Sequence, residues 1–113
     1  MPKANSYKSL EVYNLSKKLV IACYELTHEV PSDEKNNFSR YIRTAALNLH
    51  VNVAQGAFIK SKKRKKFIRS AKNALVVIDA ATEILVDLKF ANQEQVDTIT
   101  ILSSSCYQLL DKL

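Results

Sequence analysis

Apolar residues from about position 6 to position 28 recur in alternating threes and fours, at Val12, Leu15, Leu19, Ala22 and Leu26. That is the period of one helix face, and Pro31 forbids its continuation. Ser32 then stands as an N-cap, with Asp33 and Glu34 in a first turn that favours anions. Phe38, Ile42, Ala45, Leu49, Val53 and Gly56 line one side of a second helix over about 33–57. Gly56 marks either the end of that helix or a close approach by a neighbour. A third helix, over about 62–89, keeps its alternation through Phe67, Ala71, Ala74, Ile78, Ala81, Leu85 and Leu88. Asn92 begins a fourth, over about 93–112, with Gln95 at the capping-box position and Val96, Ile99, Ser103, Cys106, Leu110 and Leu113 as its seam.

Four helices of this length joined by short links predict an all-α, up-down-up-down four-helix bundle. The 113 residues make one domain, 1–113, and a single Gly with two Pro leaves little material for hairpin turns. No internal repeat is present. Apolar residues exceed what one small bundle needs: Leu47, Val51 and Ala54 fall opposite the seam of the second helix, with Arg40 and Arg43 beside them. The first helix is likewise wide, through Tyr13, Val20, Cys23 and Tyr24. Two readings stand: Leu47, Val51 and Ala54 form the interface of a closed homo-oligomer, or the second helix is the most buried one of a monomer.

Charge changes the picture further. The chain carries +6 overall, but no acid lies between Glu34 and Asp79, where eleven cations fall: Lys35, Arg40, Arg43, Lys60, Lys62, Lys63, Arg64, Lys65, Lys66, Arg69 and Lys72. Lys62, Lys65, Arg69 and Lys72 share a stripe opposite the apolar seam of the third helix, which turns acidic at Asp79, Glu83 and Asp87. Cations thus crowd a helix N-terminus and anions its C-terminus, the reverse of what the macrodipole prefers. Local stability did not select this order. It points to a polyanion, RNA or DNA, held by its phosphates through Arg40, Arg43, Lys60, Lys62, Lys63, Arg64, Lys65, Lys66, Arg69 and Lys72. Phosphate contacts position a backbone without reading bases, and only Phe58 and Phe67 flank the run as aromatics. The alternative is a solvated face, or one neutralised by a neighbouring subunit, with the protein acting as a structural or protein-partner scaffold.

Most enzyme classes lack their parts: there is no glycine-rich phosphate loop, GxSxG or HExxH, and no metal-spaced carboxylate pair. No cofactor or metal is expected. Cys23 and Cys106 stand alone, without CxxC spacing, and read as reduced packing residues. No apolar stretch approaches the roughly 20 residues of a membrane span and no signal peptide opens the chain, so a cytoplasmic location is expected. One pattern resembles chemistry: Arg43 and His50 are spaced like the Arg-x4-6-His motif of the HEPN ribonucleases, dimeric helical bundles in which the pair acts at a subunit interface. Thr44 follows the arginine where that family has a polar Asn, Asp or His, and the chain reads as non-enzymatic.

Several segments together resemble another family, the small four-helix-bundle proteins named for the 23S rRNA intervening sequences. Tyr7-Lys8-Ser9-Leu10-Glu11-Val12-Tyr13 is similar to its opening F-x-x-L-x-V-W, and Ile42-Arg43-Thr44-Ala45-Ala46-Leu47-Asn48-Leu49-His50-Val51-Asn52-Val53-Ala54-Gln55-Gly56 to its I-R-R-A-A-x-S-I-x-x-N-I-A-E-G. Lys66-Phe67-Ile68-Arg69 is similar to its E-F-I-R. Thr44, His50 and Gln55 depart from the pattern, at the second arginine, a frequent proline and the glutamate before the glycine. The resemblance implies a ring-like homopentamer, as in relatives including the accessory protein of diversity-generating retroelements, which binds nucleic acid and works beside a reverse transcriptase. It also implies that Asn52 lies near the core side of the second helix, where a buried amide would fix helix register.

Overall fold

The computed structural model describes residues 6–113. Its α-helices are α1 (Glu11–Thr27), α2 (Arg40–Phe58), α3 (Arg64–Asp87) and α4 (Gln93–Asp111). Short links force successive helices antiparallel, and α1 closes the bundle against α4. The bundle extends 46 × 23 × 21 Å. Its core is built from the expected seams: Leu19, Leu26, Ile42, Leu49, Ile78, Leu85, Ile99 and Leu110 are fully buried. Burying one such side chain stabilises by roughly 1.5–3 kcal/mol.

The helix ends show where local chemistry departs from the periodic pattern. A 3-10 turn, Ser6–Ser9, precedes α1, and the Asn14 amide ties it down by donating to the Lys8 and Leu10 carbonyls at 3.2 and 3.1 Å. Ser32, expected as a cap, instead opens a 3-10 turn, Ser32–Glu34, that has no side-chain cap; a π turn, Lys35–Ser39, follows before α2 begins at Arg40. Asn36 and Asn37 resist α-helical geometry, which makes the wider turn cheap there. Phe38 leaves that turn to meet Phe90 edge-on, with ring centroids 6.4 Å apart.

The seam of α3 is rotated from the expected one. Leu75 and Thr82 are buried, while Phe67 and Ala81 are only partly so and Leu88 is 47% exposed. Thr82 can occupy the core because its hydroxyl donates to the Ile78 carbonyl at 2.8 Å. Leu88 falls outside the seam because α3 stops at Asp87 and the chain reverses through Lys89, whose φ is 63°. There the Phe90 N–H bonds the Leu85 carbonyl at 2.9 Å and the Lys89 N–H bonds that of Val86 at 3.0 Å, a Schellman ending on a residue that is not glycine.

Two other expectations resolve cleanly. The capping box of α4 forms: the Gln95 N–H donates to Asn92 Oδ1 at 2.9 Å, and Asn92's own N–H donates to Gln95 Oε1 at 3.4 Å. Gly56 lies within α2 and marks a close approach, since a Cβ there would sit 3.4 Å from Phe67 Cβ and 3.6 Å from Ile68 Cγ1 of α3.

Candidate nucleic-acid interface

Antiparallel topology brings the C-termini of α2 and α4 and the N-termini of α1 and α3 to one end of the bundle. The lysine run is the α2–α3 link and first turn of α3, so it caps that end. Lys60, Lys62, Lys63, Lys65, Lys66 and Arg69 are all exposed, and among the described residues none has an ion pair or a side-chain hydrogen bond. Asp33, Glu34, Asp87, Glu94 and Asp97 belong to the other end, on the α1–α2 link, the C-terminus of α3 and the N-terminus of α4. The Debye length is about 8 Å at physiological salt, far less than the 46 Å long axis, so these acids do little to neutralise the basic end.

Three of the expected phosphate ligands are committed elsewhere. Arg64 Nε donates to the Gly56 and Ile59 carbonyls at 2.8 and 3.1 Å, and a second guanidinium nitrogen reaches the Ala57 carbonyl at 3.4 Å. It satisfies the orphan carbonyls at the end of α2, where a cation also suits the dipole. Lys72 pairs with Asp111 of α4 and lies 5.0 Å from the Tyr107 ring centroid, so the one acid of the last helical turn removes it from the stripe. That pairing holds the Lys72 ammonium pKa above its ordinary value. Arg43 faces α1: Nε donates to Thr27 Oγ1 at 2.7 Å and the guanidinium stacks 4.6 Å from the Tyr24 centroid. Arg40 is exposed, but lies at the start of α2, away from the lysine cluster.

His50 also turns toward α1. Its Nδ1 is 2.8 Å from Ser16 Oγ and its ring lies 4.6 Å from that of Tyr13. Burial, and secondarily Lys17, lower its pKa from the ordinary imidazole value. Arg43 and His50 are thus each engaged with α1 side chains. Cys23 and Cys106 are buried and unpaired, and burial pushes their thiols up to about 12 and about 11. Among the described residues no group of three His, Cys, Asp or Glu is placed to hold a metal, and no helix is long and apolar enough to cross a membrane.

The outer crest of α2 carries Leu47 and Val51, 45% and 52% exposed, with Ala54 half-buried and Phe58 extending the stripe. On the flank facing α3, Asn52 is not a buried register residue. It is partly exposed, its amide donates to the Asn48 carbonyl of its own helix at 2.7 Å, and it lines a groove with Asn48, Ser70 and Asn73. The groove went unread in the sequence because its residues come from two helices; the only local signal is the four-residue spacing of Thr44, Asn48 and Asn52.

An up-down bundle with one cationic end and an exposed apolar crest on α2 defines the class as a small four-helix-bundle protein. The chain belongs to the 23S rRNA-intervening sequence protein family, which it matches over residues 8–112. Comparison with curated proteins gives no match.

Proposed function

We propose that this protein is a non-enzymatic, oligomeric nucleic-acid-binding protein that holds phosphates, those of RNA first, on the cationic end of its bundle. One observation carries the reading: Lys60, Lys62, Lys63, Lys65, Lys66 and Arg69 crowd a single exposed end with no protein partner among the described residues. Mutual repulsion and the adjacent helix N-terminus make this arrangement costly in isolation, and a polyanion relieves both terms. Arg64 and Arg43 serve the fold in this account, and Lys72 opens to a phosphate only when Asp111 releases it. Leu47, Val51 and Ala54 form the contact between copies, because a contiguous apolar crest on the outer face of α2 needs cover.

A gel-shift titration with a structured RNA at about 50 and 200 mM salt tests the reading. Binding through six phosphate contacts weakens by about a thousandfold across that range. Absence of binding at the lower salt, or binding indifferent to salt, removes it and leaves a scaffold role. Stable RNA products accumulating with time, and lost on His50→Ala, restore the ribonuclease reading.

A further inference from the structure

The cleft between α2 and α3, which runs from Asn52 and Ser70, toward the basic end, to Tyr41 at the far end of α2, holds a second kind of chemistry. Its walls present Tyr41, Thr44, Asn48, Asn52, Ser70 and Asn73, around a volume of about 490 Å³, within the range of small-ligand sites. Its floor is Ala45 and Ala74, both nearly fully buried, whose small side chains leave the space open. Among the described residues no charged one lines it. Among the described residues the side chains of Thr44, Asn48, Ser70 and Asn73 make no hydrogen bond, and Asn52 spends only its Nδ2, leaving Oδ1 uncommitted. Tyr41 stands 63% exposed at the edge, presenting an aromatic face beside these polar groups.

We propose that this cleft takes an unpaired nucleobase, so that the protein prefers single-stranded nucleic acid. The inference rests on the reading above that phosphates meet the basic end. Side-chain amides match the donor and acceptor pattern of base edges, and an exposed tyrosine is a stacking platform. The register fits at one end, since Lys66 lies one turn before Ser70 on α3 and Arg69 one turn before Asn73, so the cations border the amide end of the cleft and Tyr41 the far end. A strand pinned by its phosphates on Lys66 and Arg69 turns its bases toward the amides. A duplex, with its base edges paired and stacked, cannot enter. A cleft lined by neutral groups selects for the presence of a base and only weakly for its identity.

The test compares three probes of equal phosphate count on the wild-type protein: a short single-stranded RNA, the same backbone with abasic residues, and a duplex. The base-bearing strand should bind about tenfold more tightly than the abasic one. The paired variant Asn48→Ala, Asn73→Ala, and separately Tyr41→Ala, should lose that preference while keeping both the helical circular dichroism and the salt slope. These side chains are exposed, so the fold does not depend on them. Equal, strongly salt-dependent binding of base-bearing and abasic strands overturns the cleft and spares the phosphate reading, as does a preference that survives in both variants. Failure of all three probes at low salt overturns both.

Discussion

Replacing Arg64 by Lys keeps the charge and removes the fork, which separates a residue that holds the bundle from one that holds phosphate. The change deletes two well-formed bonds, from Nε to the Gly56 and Ile59 carbonyls at 2.8 and 3.1 Å; the third, to Ala57 at 3.4 Å, is too long to weigh much. A hydrogen bond to a charged group is worth about 1.5–3 kcal/mol when desolvated, but water and the lysine ammonium replace part of it at a half-buried site. The net loss is about 1–2 kcal/mol, or a melting temperature lower by roughly 5–10 °C in a chain of this size. Urea unfolding followed by far-ultraviolet circular dichroism, at fixed protomer concentration, measures it. Lys65→Gln serves as the control, since Lys65 is exposed and has no ion pair among the described residues, and should stay within about 0.5 kcal/mol of wild type. RNA affinity of Arg64→Lys should remain within about twofold at matched salt. Unchanged stability together with a large loss of affinity would show that Arg64 binds phosphate and that its carbonyl contacts are incidental.

Lys89→Gly should stabilise by about 0.5–1 kcal/mol, because glycine adopts the φ of 63° without the Cβ penalty that Lys89 bears; a lower midpoint in urea refutes the strain. His50 has a pKa lower folded than unfolded, so its contribution is complete above about 6.5 and declines as pH falls through the folded value. The wild type should therefore lose stability on acidification below about pH 6.5 more steeply than His50→Gln, and parallel pH profiles contradict this. If copies meet through this crest as proposed, wild type should scatter as several times 12.8 kDa and Leu47→Glu with Val51→Glu should scatter as a monomer at moderate salt, with the helical signal intact. A wild type that is already monomeric at tens of micromolar removes the interface.

The seams were legible because burial and helical period speak in the same residues: Leu19, Ile42, Leu49, Ile78 and Ile99 had no other place to go. The capping box at Asn92 was legible because it is local in sequence. The start of α2 was not, since Ser32 looks like a cap until the π turn at Lys35–Ser39 absorbs the segment. Exposure of Lys62, Lys65 and Arg69 followed from their wheel positions. The fates of Lys72 and Arg64 did not, because Asp111 is 39 residues away and the carbonyls that Arg64 caps are backbone atoms on another helix. The cleft of Asn48 and Asn73 exists only once α2 and α3 lie side by side.

The central claim, that the cationic end meets a polyanion, is tested most directly by the slope of log affinity against log salt for single-stranded RNA. It should be measured for wild type and for the protein carrying Lys62→Gln, Lys65→Gln, Lys66→Gln and Arg69→Gln. Each lost phosphate contact removes about 0.7 from the slope, so the variant should bind more weakly with a slope shallower by roughly 2–3, and fold as wild type or slightly more stably. Equal slopes for the two proteins, or no wild-type binding at about 50 mM salt, contradict the account.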